Sequence, residues 1–163
     1  MVRWISLITV IMLPALGCDS TSVSTSADDL IGGKWVFQRS QVPDGTVIFY
    51  SPASSKRNSW WIHFDDADYV TGWEACNECR GQFTADDDGI LEFDLGGCTE
   101  KLCGSPQPYD DYWPTVQNVT RFQIRNGQLW LFYTLEDGTE GELIHTRTRC
   151  SFRFRESGYR ICR

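Results

Sequence analysis

The sequence predicts a β-rich domain, and three observations carry that prediction. Aromatic residues make up 13% of the chain, and Trp35, Trp60, Trp61, Trp73, Trp113 and Trp130 all lie beyond the N-terminal segment. Such rings bury wide areas and favour strands. No long stretch repeats its apolar residues at helical spacing, and turn signals such as Asn126-Gly127, Asp137-Gly138 and Pro43-Asp44-Gly45 recur between apolar runs. A chain of 163 residues can bury one sizeable core. Its net charge of −7 argues against general nucleic-acid binding.

The N-terminus reads as an address. Met1-Val2-Arg3 supplies a positive start, and Trp4 to Leu16 is an uncharged apolar run, short for a membrane span. It ends in Ala15-Leu16-Gly17-Cys18, which resembles the lipobox of bacterial lipoproteins. That resemblance implies a signal peptide over 1–17, diacylglycerol on the Cys18 thiol and a palmitate-type acyl chain on the new amine. The protein would then be tied to a membrane, facing the periplasm or the cell surface. The plainer alternative is an ordinary secretory signal with a leftover cysteine. Asp19 resembles the inner-membrane retention signal of enteric bacteria. The Ser/Thr-rich residues from 18 to 29 read as a flexible tether.

The folded domain is expected over 30–149. Leu30 to Phe37 opens it, with Trp35 and Phe37 alternating as on a strand. Pro43-Asp44-Gly45 turns into a strand over Thr46 to Tyr50, and Ser51 to Ser59 is a polar loop. Trp60 to Phe64 and Tyr69 to Trp73 read as strands around an acidic turn at Asp65, Asp66 and Asp68. Cys79 to Thr84 and Ile90 to Leu95 do so around Asp86-Asp87-Asp88-Gly89. One short helix fits Ser105 to Asn118, provided Pro114 falls in a first turn or at a kink. Asn126-Gly127 suits a two-residue type I′ turn, setting Ile124 opposite Leu129 and Phe122 opposite Leu131. Asp137-Gly138 is expected to do the same, pairing Leu131 with Ile144 and Trp130 with His145. Cys150 to Cys162 reads as a basic hairpin over 150–163, its two cysteines opposite each other. From Arg147 to the end there are six arginines and one acid, Glu156, so the tail carries about +5.

Without Cys18, six cysteines remain, and an even number in an exported chain implies disulfides. Cys150 with Cys162 follows from the hairpin. The nested pairing Cys76–Cys103 with Cys79–Cys98 is favoured. The crossed pairing Cys76–Cys98 with Cys79–Cys103 fits the register nearly as well. Each bridge should stabilise the fold by about 2–4 kcal/mol. The spacings Cys76-x-x-Cys79 and Cys98-x4-Cys103 also approach a four-thiolate zinc site, which export disfavours. No metal or cofactor is expected.

The chain resembles the META/HslJ-like domain of bacterial envelope proteins. Leu30-Ile31-Gly32-Gly33-Lys34-Trp35 is similar to the family's opening Leu-x-Gly-x-Trp strand. Gly72 to Phe83, with Cys76-Asn77 and Gly81-x-Phe83, is similar to its Gly…Cys-Asn…Gly-x-Tyr segment, with Phe83 in place of Tyr. Thr99-x-x-x-Cys103 is similar to its Thr-x-x-x-Cys segment. Cys79, Cys98 and the C-terminal hairpin are additions. The resemblance implies a small, antiparallel, incompletely closed β-barrel with one helix, no enzymatic activity, and a role in envelope integrity or stress tolerance.

Catalytic constellations are absent from the sequence. His63 and His145 have no sequence-local acid or nucleophile, and they could share a metal only if the fold joined them. The acidic turns lack EF-hand spacing. Asp65 with Glu74, or Asp86 with Glu92, would need placement across a cleft to act as a glycosidase pair. Asn118-Val119-Thr120 matches a glycosylation sequon that has no meaning in a bacterial lipoprotein. Trp130, Phe132 and Arg121 share the second face of the hairpins, expected to be covered as core. Three roles fit: a lipid-anchored protein acting through an envelope protein partner, a lipocalin-like carrier of a small apolar ligand, and a pilot-type lipoprotein for an outer-membrane assembly.

Overall fold

Apolar residues alternate along each predicted strand, and the fold turns those alternations toward a common interior. The computed structural model describes residues 22–50, 60–65, 68–74, 76–101, 112–148, 152–154 and 160–162. The strands are β1 (Val23–Ser24), β2 (Lys34–Gln41), β3 (Val47–Tyr50), β4 (Trp61–Phe64), β5 (Tyr69–Glu74), β6 (Asn77–Ala85) and β7 (Leu91–Cys98). After α1 (Tyr112–Val116) come β8 (Val119–Arg125), β9 (Gln128–Thr134), β10 (Glu140–Thr148), β11 (Phe152–Phe154) and β12 (Arg160–Cys162). Among the described residues, no helix is long and apolar enough to cross a membrane.

Ten strands form one antiparallel sheet in the order β1-β8-β9-β10-β2-β4-β5-β6-β7, with β3 beside β4 on the same edge of β2. The sheet curls into an incompletely closed barrel. Its two ends meet at one place, where Ile90 bridges Arg121 and the Phe122 amide donates to Gly89 O at 2.8 Å. Trp35, Phe37, Ile62, Phe64, Val70, Phe83, Leu91, Phe122, Leu129, Leu131 and Leu143 fill the interior.

Residues 22–29, expected within the tether, belong to the fold instead. β1 pairs with Ile124 and Arg125 of β8, beside the incomplete seam. The Thr25 hydroxyl donates to Asp87 O at 2.6 Å, and the Ala27 amide donates to the Asp87 carboxylate at 3.2 Å. A two-residue strand leaves no periodicity to read, and these contacts are made largely by backbone groups.

The short helix is observed, and Pro114 is its third residue, where the missing amide would have had no intrahelical partner. The Trp113 ring sits against Gly72, and a Cβ at Gly72 would also lie 3.0 Å from Trp61 O. Only glycine lets the helix seat this closely on β5.

The first late hairpin has the expected register, with Asn126 and Gly127 at φ 52° and 76°. The second differs by one residue. Leu131 faces Leu143, and Trp130 faces Ile144. Only Gly138 has positive φ, at 83°, and the Leu135 amide donates to Thr139 O at 2.9 Å. The loop therefore holds three residues, Glu136 to Gly138, rather than two. That slip carries His145 from the face it was expected to share with Trp130 to the face of Leu129 and Leu131.

β11 and β12 make a separate two-stranded sheet in which Cys162 lies opposite Phe152, not opposite Cys150. Cys18, Cys103 and Cys150 lie outside the described residues.

Candidate functional site

Among the described residues, chemistry-bearing side chains gather at two places. The first is the end of the β6–β7 hairpin. Cys79 and Cys98 are directly paired across the strands, their Cα atoms 4.0 Å apart, and are joined in a disulfide. This is one of the two bridges of the nested pairing, and it excludes the crossed one; the other, Cys76–Cys103, involves a residue outside the described ones. Cys76 is also disulfide-bonded. Between them Asn77 holds the chain that leaves β7. Its Oδ1 accepts the Lys101 amide at 2.7 Å and the Thr99 hydroxyl at 3.1 Å. The Thr99 hydroxyl in turn accepts the Glu78 amide at 3.1 Å. An asparagine between cysteines thus extends the β6–β7 ladder with its side chain. Each such bond contributes about 1 kcal/mol at an exposed edge.

Glu74, Cys79 and Cys98 bring potential ligand atoms within 4.8 Å of one another. Two of those atoms are bonded to each other as a disulfide, so they do not offer the thiolates that a zinc site needs. Glu74 instead accepts the Trp113 amide at 3.2 Å, at the start of α1.

The second place is the aromatic interior beneath α1. Tyr112 and His145 are both fully buried, and the Tyr112 hydroxyl lies 2.7 Å from His145 Nε2. Phe37 packs against both, at ring-centroid distances of 5.0 Å and 5.5 Å, and Trp60 stacks on Tyr112 at 5.5 Å. Burial pushes His145 down from 6.5 to about 3, only partly offset by the backbone of Leu143 and Leu129. The imidazole is therefore neutral at ordinary pH and serves as a packing and hydrogen-bonding group. Sequence reasoning missed this pair, because it depends on the slipped register and on where the helix lands.

The other candidates do not converge. His63 is on the outer side of β4, where its Nδ1 lies 2.9 Å from Gly33 O; the barrel wall separates it from His145. Asp65 and Glu74 flank opposite ends of β5. Asp86 uses its carboxylate to accept the amides of Asp88 and Ile90, at 3.0 Å and 2.9 Å, as a turn cap. Asn118 of the sequon donates to Pro114 O at 2.9 Å.

Trp130 and Phe132 are half-buried on the outer face rather than core, and Arg121 is exposed. The Arg125 guanidinium lies over both rings, at 4.7 Å and 5.4 Å. A similar arrangement covers the outside of β4 and β5. There Trp61 and Trp73 are cross-strand neighbours, with Lys34 Nζ 4.2 Å from the first ring and Lys101 Nζ 5.8 Å from the second. Partial burial lowers the Lys34 pKa. Cations over aromatic faces cover apolar surface with charge.

A profile of the META domain matches residues 28–149. The chain belongs to the META domain family. The META domain's opening segment, Leu30 to Trp35, is here a closed corner: the Trp35 indole donates to Leu30 O at 3.0 Å. Its Cys-Asn segment and the Thr99 that follows β7 form the asparagine clasp described above. Among solved structures, a protein from Burkholderia xenovorans determined by NMR shares the fold at TM-score 0.57 and 20% identity, over 85% of this chain and 99% of that one. A DUF4847 family protein from Bacteroides vulgatus aligns at TM-score 0.47 and 13% identity, over 71% of this chain and 93% of that one. No curated protein matches the chain.

Proposed function

We propose that this META domain protein is exported, acylated at Cys18 and held in the bacterial envelope, where it acts by protein contact rather than by catalysis. The observation that carries the reading is the pairing of a lipobox, Ala15-Leu16-Gly17-Cys18, with the Cys79–Cys98 disulfide. A disulfide of this kind persists outside the reducing cytosol. The interior supports a non-enzymatic role. It is filled by packed rings, and the Tyr112–His145 pair within it is sealed from solvent. Contacts are then left to the outer surface, where half-buried tryptophans lie under lysine and arginine side chains.

The test is the intact mass of the protein taken from membranes. Loss of residues 1–17 and a gain equal to a diacylglycerol and an acyl chain are expected, with Cys18→Ser moving the protein to the soluble fraction. Retention of Met1 and an unmodified Cys18 would overturn the reading. Capture of the anchored protein in mild detergent, followed by mass spectrometry, would then identify its partner.

A further inference from the structure

The seam between the two ends of the sheet closes at one point and then parts. Ile90 bridges Arg121, so Glu92 comes level with Val119, the first residue of β8. Before Val119 the chain belongs to α1 and the turn that follows it. Among the described residues, no strand continues along the outer edge of β7 past that point. The hydrogen-bond pattern of the β6–β7 hairpin decides which groups are left there. The Asp86 amide donates to Ile90 O at 3.2 Å, and the Phe83 amide donates away from β7, to Asp68 O at 3.0 Å. Phe83 and Phe93 are therefore a non-hydrogen-bonded pair. The amide and carbonyl of Phe93 point to the open side, and those of Leu95, two residues on, do the same. The register shift that leaves Gly96 unopposed ends this stretch.

Its side chains divide by face. Leu91 is buried, and Phe93 and Leu95 are half-buried against the core, with the Phe93 ring 6.0 Å from that of Phe64. Glu92 and Asp94 are exposed on the outer face, beside Thr84 and Gln82, and neither makes an ion pair among the described residues. A second copy of β7 fits this edge poorly. Antiparallel pairing about Phe93 sets Glu92 against Asp94, and pairing about Asp94 sets that residue against itself.

We propose that the edge of β7 from Glu92 to Leu95 binds an extended segment of a partner protein by strand addition, a segment that alternates apolar residues with lysine or arginine. Backbone bonds to Phe93 and Leu95 supply the attachment, which is indifferent to sequence. Glu92 and Asp94 supply the choice, because the segment's outer residues become their direct cross-strand neighbours. The segment's apolar residues then lie beside Phe93 and Leu95, at the mouth of the seam. The same two acids keep copies of the edge from pairing with each other, so it stays open to a basic partner. The proposal deepens the protein-contact reading by naming the surface, and it does not depend on the lipid.

The full mature chain carrying Cys18→Ser is titrated with two short capped peptides, one alternating valine with lysine and one alternating valine with glutamate. The lysine peptide is expected to bind at least about tenfold more tightly at low salt, with the difference shrinking as salt is raised. Amide exchange followed by NMR locates the contact. The Phe93 and Leu95 amides should slow on binding, while those of Glu92 and Asp94, already bonded to β6, stay as they were. Glu92→Lys with Asp94→Lys should reverse the preference and leave the thermal midpoint unchanged. Failure of the lysine peptide to bind, unchanged exchange at Phe93 and Leu95, or an unchanged preference in the double variant would overturn the proposal. If the edge takes the lysine peptide and Cys18 proves unacylated, the lipidation reading fails alone; if Cys18 is acylated and the edge takes no peptide, this proposal fails alone.

Discussion

Two hairpins share β9 and differ by one residue of loop. At Asn126-Gly127 both turn residues take positive φ, and the strands meet across two residues. At Glu136 to Gly138 the glycine alone does so, and the loop holds three. The first hairpin pairs Phe122 with Leu131 and closes the interior. The second brings His145 to the same side, under Tyr112. A side-chain period of two means that loop length, not strand composition, decides which residues of β10 become core.

The strongest way to break that comparison is to shift the second register. Deleting Glu140 would keep the Glu136 to Gly138 loop but set Leu131 opposite Ile144 and Trp130 opposite His145, turning Leu143 and His145 outward. The expected outcome is loss of the cooperative unfolding transition, checked by thermal denaturation. Next in size is the third hairpin, β6–β7, which is closed covalently. Replacing Cys79 and Cys98 together by Ala should cost about 2–4 kcal/mol, read by urea unfolding under oxidising conditions. Insensitivity of the wild-type transition to reductant would argue against a stabilising bridge.

His145 sharpens the comparison through pH. Its folded pKa, about 3, lies below its ordinary 6.5, so the unfolded chain binds the extra proton between these values. Its contribution is complete above pH 6.5 and is lost as pH falls from there toward 3. Asp44 and Asp137 titrate in the same direction, because turn amides of Thr46 and Thr139 hold their carboxyls low. The measurement is therefore a difference: stability against pH for the wild type and for His145→Phe. The variant should show the shallower acid slope, and parallel curves would show that His145 is not buried neutral. The smallest effect belongs to the turns themselves. Gly127→Ala and Gly138→Ala should each cost about 1 kcal/mol, since both positions have positive φ. Asn126→Gly should be nearly neutral.

Much of the barrel was legible because its strands are short, aromatic and punctuated. Trp35 with Phe37, and Ile62 with Phe64, alternate clearly enough to fix their inward faces, and Asn-Gly admits essentially one tight turn. Asp-Gly at 137–138 is ambiguous, because glycine ends a three-residue loop as readily as it completes a two-residue one. The Cys79–Cys98 bridge was readable from the hairpin that carries it. The Tyr112–His145 contact was not, since it joins a helix and a strand 33 residues apart through a register that the turn alone decides. β1 was invisible for a different reason: its role is to supply backbone groups, and composition does not report those.

That short strand has a practical side. β8 is an edge, and what blunts it along Ile124 and Arg125 is the segment just ahead of Leu30. A chain trimmed to begin at Leu30 would present bare amides and carbonyls there. Bare strand edges recruit strands from neighbouring molecules. The trimmed protein is expected to self-associate at concentrations where the longer one stays dispersed.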